Sequence, residues 1–223
     1  MWIAIVTFAS FAPFVTIAIH TSRRQLNYAH DARRITSGTQ MRTLVTTHHL
    51  AMTDPTQLRP ARTPDDPCSI VQVVRPTPEF SRFFYTAVGG HWFWIDRLPW
   101  TYTQWEEFVR QPGYELWYGV HQGAPVGYFE LLRHPDDSIE IASFGLLLPY
   151  VGQGFGGQLL TAAIVRAWWL DPACVTVHTC TLDGPHALAN YQARGFQLVR
   201  QASEENELPA TPPGPWPDAQ VHG

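Results

Sequence analysis

Residues 138–160 read SIEIASFGLLLPYVGQGFGGQLL: a strand pattern breaks at Pro149, passes through a glycine-rich turn and opens directly onto an amphipathic helical pattern. Gly152, Gly154, Gly156 and Gly157 remove Cβ atoms where a helix begins. Backbone N–H groups there can close on an anion that also feels the positive end of the helix dipole, and a pyrophosphate matches that description. A P-loop is excluded, because Gln158-Leu159 stands where Gly-Lys-Ser/Thr is needed and the chain contains no lysine. A dinucleotide fingerprint matches on paper, with Gly152, Gly154 and Gly157 in G-x-G-x-x-G spacing and Asp183 closing the next strand. Its context is wrong: such a loop normally opens a domain and is followed by several βα units, whereas only about 65 residues remain here.

A third phosphate-binding form, Arg/Gln-x-x-Gly-x-Gly/Ala, takes both glycines from VGQGFG at residues 151–156, with Val151 where Arg or Gln usually stands. Further on, VTVHTCTLDGPHALANYQARGF gives a strand and then a helix running through Asn190-Tyr191 to Gly195-Phe196. On these two blocks the chain resembles the GNAT superfamily of acyl-CoA N-acyltransferases, a bacterial subgroup of it in particular, from about Ile70 to Gln201. The resemblance implies an α/β GNAT fold, a mixed six- to seven-stranded twisted sheet flanked by about four helices.

It also implies acetyl-CoA as cosubstrate and direct transfer of an acetyl group to a primary amine in a ternary complex. Carried over, the strand residues Phe144, Leu146, Leu147 and Leu148 hold the pantetheine arm and thioester, with the Leu146 N–H as oxyanion donor. Val151, Gly152, Gln153, Gly154, Phe155, Gly156 and Gly157 surround the phosphates, and Asn190 contacts the pantetheine arm. Tyr191 matches the tyrosine near the sulfur that serves as general acid. The alternative is a module that binds acyl-CoA without turnover.

A protonated amine needs a base before it can attack. Glu140 on the strand feeding the loop, Glu130 in the neighbouring GYFEL and the titratable His178 are the candidates. In GNAT folds the connection between the first two helices walls the acceptor site. Here that is GGHWFWIDRLPW, residues 89–100, where Trp92, Trp94 and Trp100 with Asp96 can cage a cationic or aromatic amine. The ten histidines show no ligand spacing on a helix, so no metal is expected.

Composition fits one α/β core with extensions, at 223 residues and 45% hydrophobic. The formal charge of −4 is uneven: residues 1–51 hold five arginines against one aspartate, and the remainder ten against eighteen acidic residues. An acidic catalytic part argues against nucleic acid and for a small-molecule or peptide amine. Three cysteines without metal spacing indicate a reducing, cytoplasmic setting. A homodimer is compatible with this reading.

Residues 1–51 read as an N-terminal extension, either a signal anchor at residues 2–19 that would bring in a membrane, or sequence upstream of a start at Met52. A linker over 52–68, the acetyltransferase domain over 69–203 and a proline-rich tail over 204–223 complete the expected plan. Within the domain, residues 69–76 read as a strand, Pro78 starts a helix, and Thr103 with Glu106 forms a capping box for a second. Gln122-Gly123-Ala124 marks a hairpin, and residues 156–169 form the loop helix. A seventh strand is not evident; residues 202–207 are the candidate.

Overall fold

The computed structural model describes residues 40–216. Seven strands form one sheet: β1 (Gln40–Met52), β2 (Ser69–Gln72), β3 (Tyr114–His121), β4 (Ala124–Arg133), β5 (Ser138–Leu146), β6 (Cys174–Cys180) and β7 (Gln197–Pro209). The helices are α1 (Pro78–Gly89), α2 (Tyr102–Val109), α3 (Phe155–Trp169) and α4 (Ala187–Ala193). Strand order across the sheet is β2-β3-β4-β5-β6-β1-β7, and β5–β6 is the parallel pair.

Alternation sends Phe129, Leu131, Ile139, Ile141, Val175, Val177, Leu50 and Met52 to one face, where they pack against Leu159, Leu160, Ala163, Ile164 and Ala167 of α3. Tyr191 and Phe196 at α4 join that core. On the opposite face Phe84, Val88 and Val109 of α1 and α2 pack on Leu116 and Tyr128. Local signals explain the helix starts. Thr77 caps α1 with Pro78 in its first turn, and Gln122 and Gly123, both at positive φ, turn β3 into β4. The α2 cap lies two residues earlier than its sequence suggested: Thr101 accepts from the N–H of Gln104, whose side chain returns the bond.

The expected boundary at residue 51 is wrong. Residues 40–52 form β1, which lies between β6 and β7 and is antiparallel to both. It is the strand that the sequence left unplaced. Residues 202–207 are not a separate strand; they continue β7, which runs past the expected tail boundary at 204. Nor is 52–68 a loose linker. It straps across α3, where Ala61 N–H donates to Thr161 Oγ1 and the Gln158 side chain exchanges bonds with the backbone of Cys68. At the same strap the Gln57 carbonyl lies 2.0 Å from where a Cβ on Gly195 would stand, and Gly195 has φ of 106°. Only glycine tolerates both conditions. An anchor at residues 2–19 lies outside the described residues; among those described, no helix is long and apolar enough to cross a membrane.

Candidate active site

The parallel ladder between β5 and β6 runs from Ser138↔Cys174 to Ile141↔Val177 and stops. Beyond it β5 remains paired with β4 as far as Gly127↔Leu146, while β6 remains paired with β1 as far as Thr47↔Cys180. Ala142 is an extra residue between Ile141 and Ser143 in the β4–β5 register, and a bulge there bends β5. The strands therefore part, and a cleft of about 1070 Å³ opens between them.

Phe144, Leu146 and Leu148 line this cleft. The N–H of Leu147 donates to Val126 O at 2.9 Å, so strand alternation turns the N–H of Leu146 away from β4 and toward the opening. Leu147 itself packs with the α1–α2 core and is not a lining residue. Below the strands, Gly154 caps α3 in the left-handed conformation, φ 88°, with no side chain closing the helix end. The first N–H groups of α3 are left for an anion. Val151, Gly152, Gly154, Gly156 and Gly157 line the cleft here. Two neighbours do not: Phe155 is buried against Cys68 and Val126, and the Gln153 side chain turns back onto Pro149 O at 2.7 Å.

Tyr191 and Asn190 of α4 line the same opening, and the Tyr191 ring stands 6.0 Å from that of Phe144. Burial, with the charge of Asp183 behind it, pushes the Tyr191 phenol well above its ordinary range, so it remains a proton donor. His178, at the end of β6, also lines the cleft and is half exposed. Its Nδ1 lies 2.9 Å from Glu140 Oε1, and the other oxygen of Glu140 lies 2.8 Å from His134 Nε2. The bond to Glu140 raises His178 above the usual 6.5, against its partial desolvation. Burial alone would raise Glu140, but the two imidazoles outweigh it and bring the carboxyl down to about 2. Glu140 does not line the cleft. It holds His178.

Glu130 is not a base facing the cleft. It is fully buried, accepts from Ser81 Oγ and Tyr114 OH at 2.7 Å each, and pairs with Arg97 Nη1 at 2.9 Å. Through Arg97 this one buried carboxylate anchors the 89–100 connection. Replacing Glu130 by Ala strands a largely buried guanidinium and is expected to cost about 3–5 kcal/mol, a fall in Tm on the order of 10 °C. Glu130→Gln in the same thermal melt, with an acetyl-transfer assay beside it, separates the roles: stability should drop more than turnover, whereas a catalytic base would give the reverse.

Of the expected acceptor residues, Trp92, Trp94 and Asp96 line the cleft and Trp100 does not. Trp100 packs on Trp105 and Phe108 with the Arg97 guanidinium over its ring. Trp94 donates through Nε1 to Asp183, which also accepts from Thr179 Oγ1 and Cys180 N–H. This ties the 89–100 connection to the end of β6. Sequence reasoning missed Val45 and Thr47 of β1 and Asn206 and Leu208 of β7, which form a further wall. The signal was present in the β-branched run Thr43, Val45, Thr46 and Thr47. Among the described residues no cluster of side chains could hold a metal ion.

A mixed sheet whose one parallel seam opens beside an uncapped helix is an α/β binding architecture with its cleft at the strand ends. The chain belongs to the GNAT acetyltransferase family, whose model, Acetyltransferase (GNAT) family, matches residues 77–196, more than half of the chain. Among curated proteins none matches it closely. Solved structures share the fold. A GCN5-related N-acetyltransferase from Kribbella flavida is 20% identical with a TM-score of 0.54, over 74% of this chain and 60% of its own. One from Sphaerobacter thermophilus is 16% identical with a TM-score of 0.51, over 78% and 54%. A GNAT-family structure from Novosphingobium aromaticivorans is 16% identical with a TM-score of 0.50, over 74% and 65%. The chain thus spans less than two thirds of the length of these three structures.

Proposed function

We propose that the protein transfers the acetyl group of acetyl-CoA to a primary amine by direct attack in a ternary complex. One observation carries this reading: the β5–β6 opening, the uncapped α3 N-terminus, Tyr191 and His178 all face a single cavity. The first N–H groups of α3 would hold the pyrophosphate. The freed edge of β5 would pair with the pantetheine arm, with Asn190 as a further polar contact.

His178 in its neutral form takes a proton from the amine, and Glu140 fixes which ring nitrogen is available by engaging Nδ1. As the amine nitrogen bonds to the thioester carbon, the Leu146 N–H faces the oxyanion; one such donor is worth about 2.7–4 kcal/mol. When the C–S bond breaks, Tyr191 gives its phenol proton to the thiolate. No covalent enzyme intermediate is needed. Holding the two reactants side by side between β5 and the 89–100 connection supplies much of the remaining acceleration.

Calorimetric titration with acetyl-CoA and thiol release with a panel of amines test the proposal together. Saturable binding with amine-dependent thiol release is expected, and Tyr191→Phe should lower kcat by roughly 10²-fold or more while leaving acetyl-CoA affinity unchanged. Binding without thiol release from any amine would favour the non-catalytic module instead. No binding at all would refute both.

A further inference from the structure

The acceptor half of the cleft has a one-sided chemistry. Val45 and Leu208 of the β1–β7 ribbon, Val88 of α1, Trp92 and Ile95 of the following connection and Leu182 after β6 give it a mainly apolar lining, to which the ribbon adds the uncharged polar side chains of Thr47 and Asn206. Its fixed charges are carboxylates. Asp96 is exposed and makes no ion pair among the described residues, and Asp183, on the β6–α4 connection, also lines the cleft. Arg97 is the one arginine among the lining residues, and its guanidinium is held by the buried Glu130. His178 and His186 are the histidines among the lining residues.

Resting on the acyl-transfer reading above, we infer that the acceptor is an amine on an apolar, ring-sized body with no anionic group, and that the β1–β7 ribbon together with Asp96 selects it. An acceptor carrying a carboxylate or phosphate would lose hydration in this half of the cleft without meeting a free arginine, and would face two carboxylates. An amine without such a group loses nothing of the kind. Its hydrocarbon body removes the lining of the ribbon from water, and its ammonium, before deprotonation, is drawn by Asp96. The ribbon supplies this wall because β1 and β7 continue pairing beyond Thr47, past the point where β6 ends at Cys180.

The test uses two probes with one ring, 2-phenylethylamine and phenylalanine, which differ by a carboxylate. Binding of each to the full chain saturated with CoA is measured by calorimetry, and acetyl-CoA binding is measured on the same preparation. 2-Phenylethylamine is expected to bind about 100-fold more tightly. Asp96→Asn, at an exposed position, should narrow that ratio several-fold without altering CoA affinity. Leu208→Arg adds a counter-ion to the ribbon and should move preference toward phenylalanine; if that variant does not fold, the Asp96 arm still decides. Equal affinities, no binding of either probe, or an unchanged ratio in Asp96→Asn overturns the inference while acetyl-CoA binding leaves the acyl-transfer reading standing. Loss of acetyl-CoA binding itself takes both down.

Discussion

A chain that begins at Met52 is expected to yield no cooperatively folded protein, whereas one that begins at Gln40 keeps the fold. The deleted residues are the body of β1, which joins β6 to β7. Without it β7 has no partner strand and β6 becomes a bare edge. Leu50, 1% exposed in the main core, leaves a cavity under α3, and truncation of a single buried leucine costs about 2–5 kcal/mol. The lost ladder adds about 0.5–1.5 kcal/mol for each backbone bond. Together these exceed the whole net stability of a typical domain, about 5–15 kcal/mol. Circular dichroism during heating checks this: a sharp transition in the Met52 chain, near that of the Gln40 chain, would show that β1 is dispensable.

His178→Gln is the substitution expected to damage turnover most without unfolding the protein, lowering kcat/KM by about 10²–10⁴-fold. The side chain is half exposed, so its removal leaves no large cavity. Its pH dependence gives the assignment a sharper check. On the proposed mechanism the working form is neutral, so activity should rise with pH through the raised pKa of His178 and plateau above it. Glu140 is the first cause of that elevation. Glu140→Gln should therefore move the rising limb to lower pH while reducing the plateau, because the imidazole is then less firmly oriented. His134 on the far oxygen of Glu140, His49 across the strand pair, Asp183 and Arg97 also act on this site, and none of them changes in that variant. A limb at unchanged pH in Glu140→Gln would mean that His178 is not the titrating base.

The stability of the pair follows from the same shifts. Glu140, depressed from 4.5 to about 2, stabilises the fold fully above pH 4.5 and loses that contribution as pH falls toward 2. His178 works in the other direction, stabilising below 6.5 and ceasing to do so as pH rises through its elevated value.

Much of this was legible from local pattern. The strand, glycine turn and helix of residues 138–160 stand where they were read, as do the starts of α1 and the β3–β4 hairpin, because glycine, proline and threonine act over a few residues. The candidate site divides along the same line. Glycines 152, 154, 156 and 157 and Tyr191 face the cleft, since their positions follow from a loop and a helix that are locally determined. Trp100 and Glu130 went elsewhere, one into the α2 core and the other into a buried pair with Arg97. Arg97 and Glu130 are 33 positions apart, beyond the reach of any local pattern, whereas Trp100 turns to Trp105 and Phe108 of the helix just after it instead of to the cleft.

By itself the amino-acid sequence determined the kind of elements and their order from β2 to α4, and where an anion could meet a helix end. Only the tertiary structure decided that residues 40–52 fill the gap between β6 and β7, that Glu140 binds His178, and that Val45 and Leu208 reach the cleft wall. The reason is range. Turns, caps and helical periodicity are set by neighbours a few residues apart, whereas the Glu140–His178 contact spans 38 positions and the pairings of β1 span more than a hundred, and two-residue alternation alone does not name the partner.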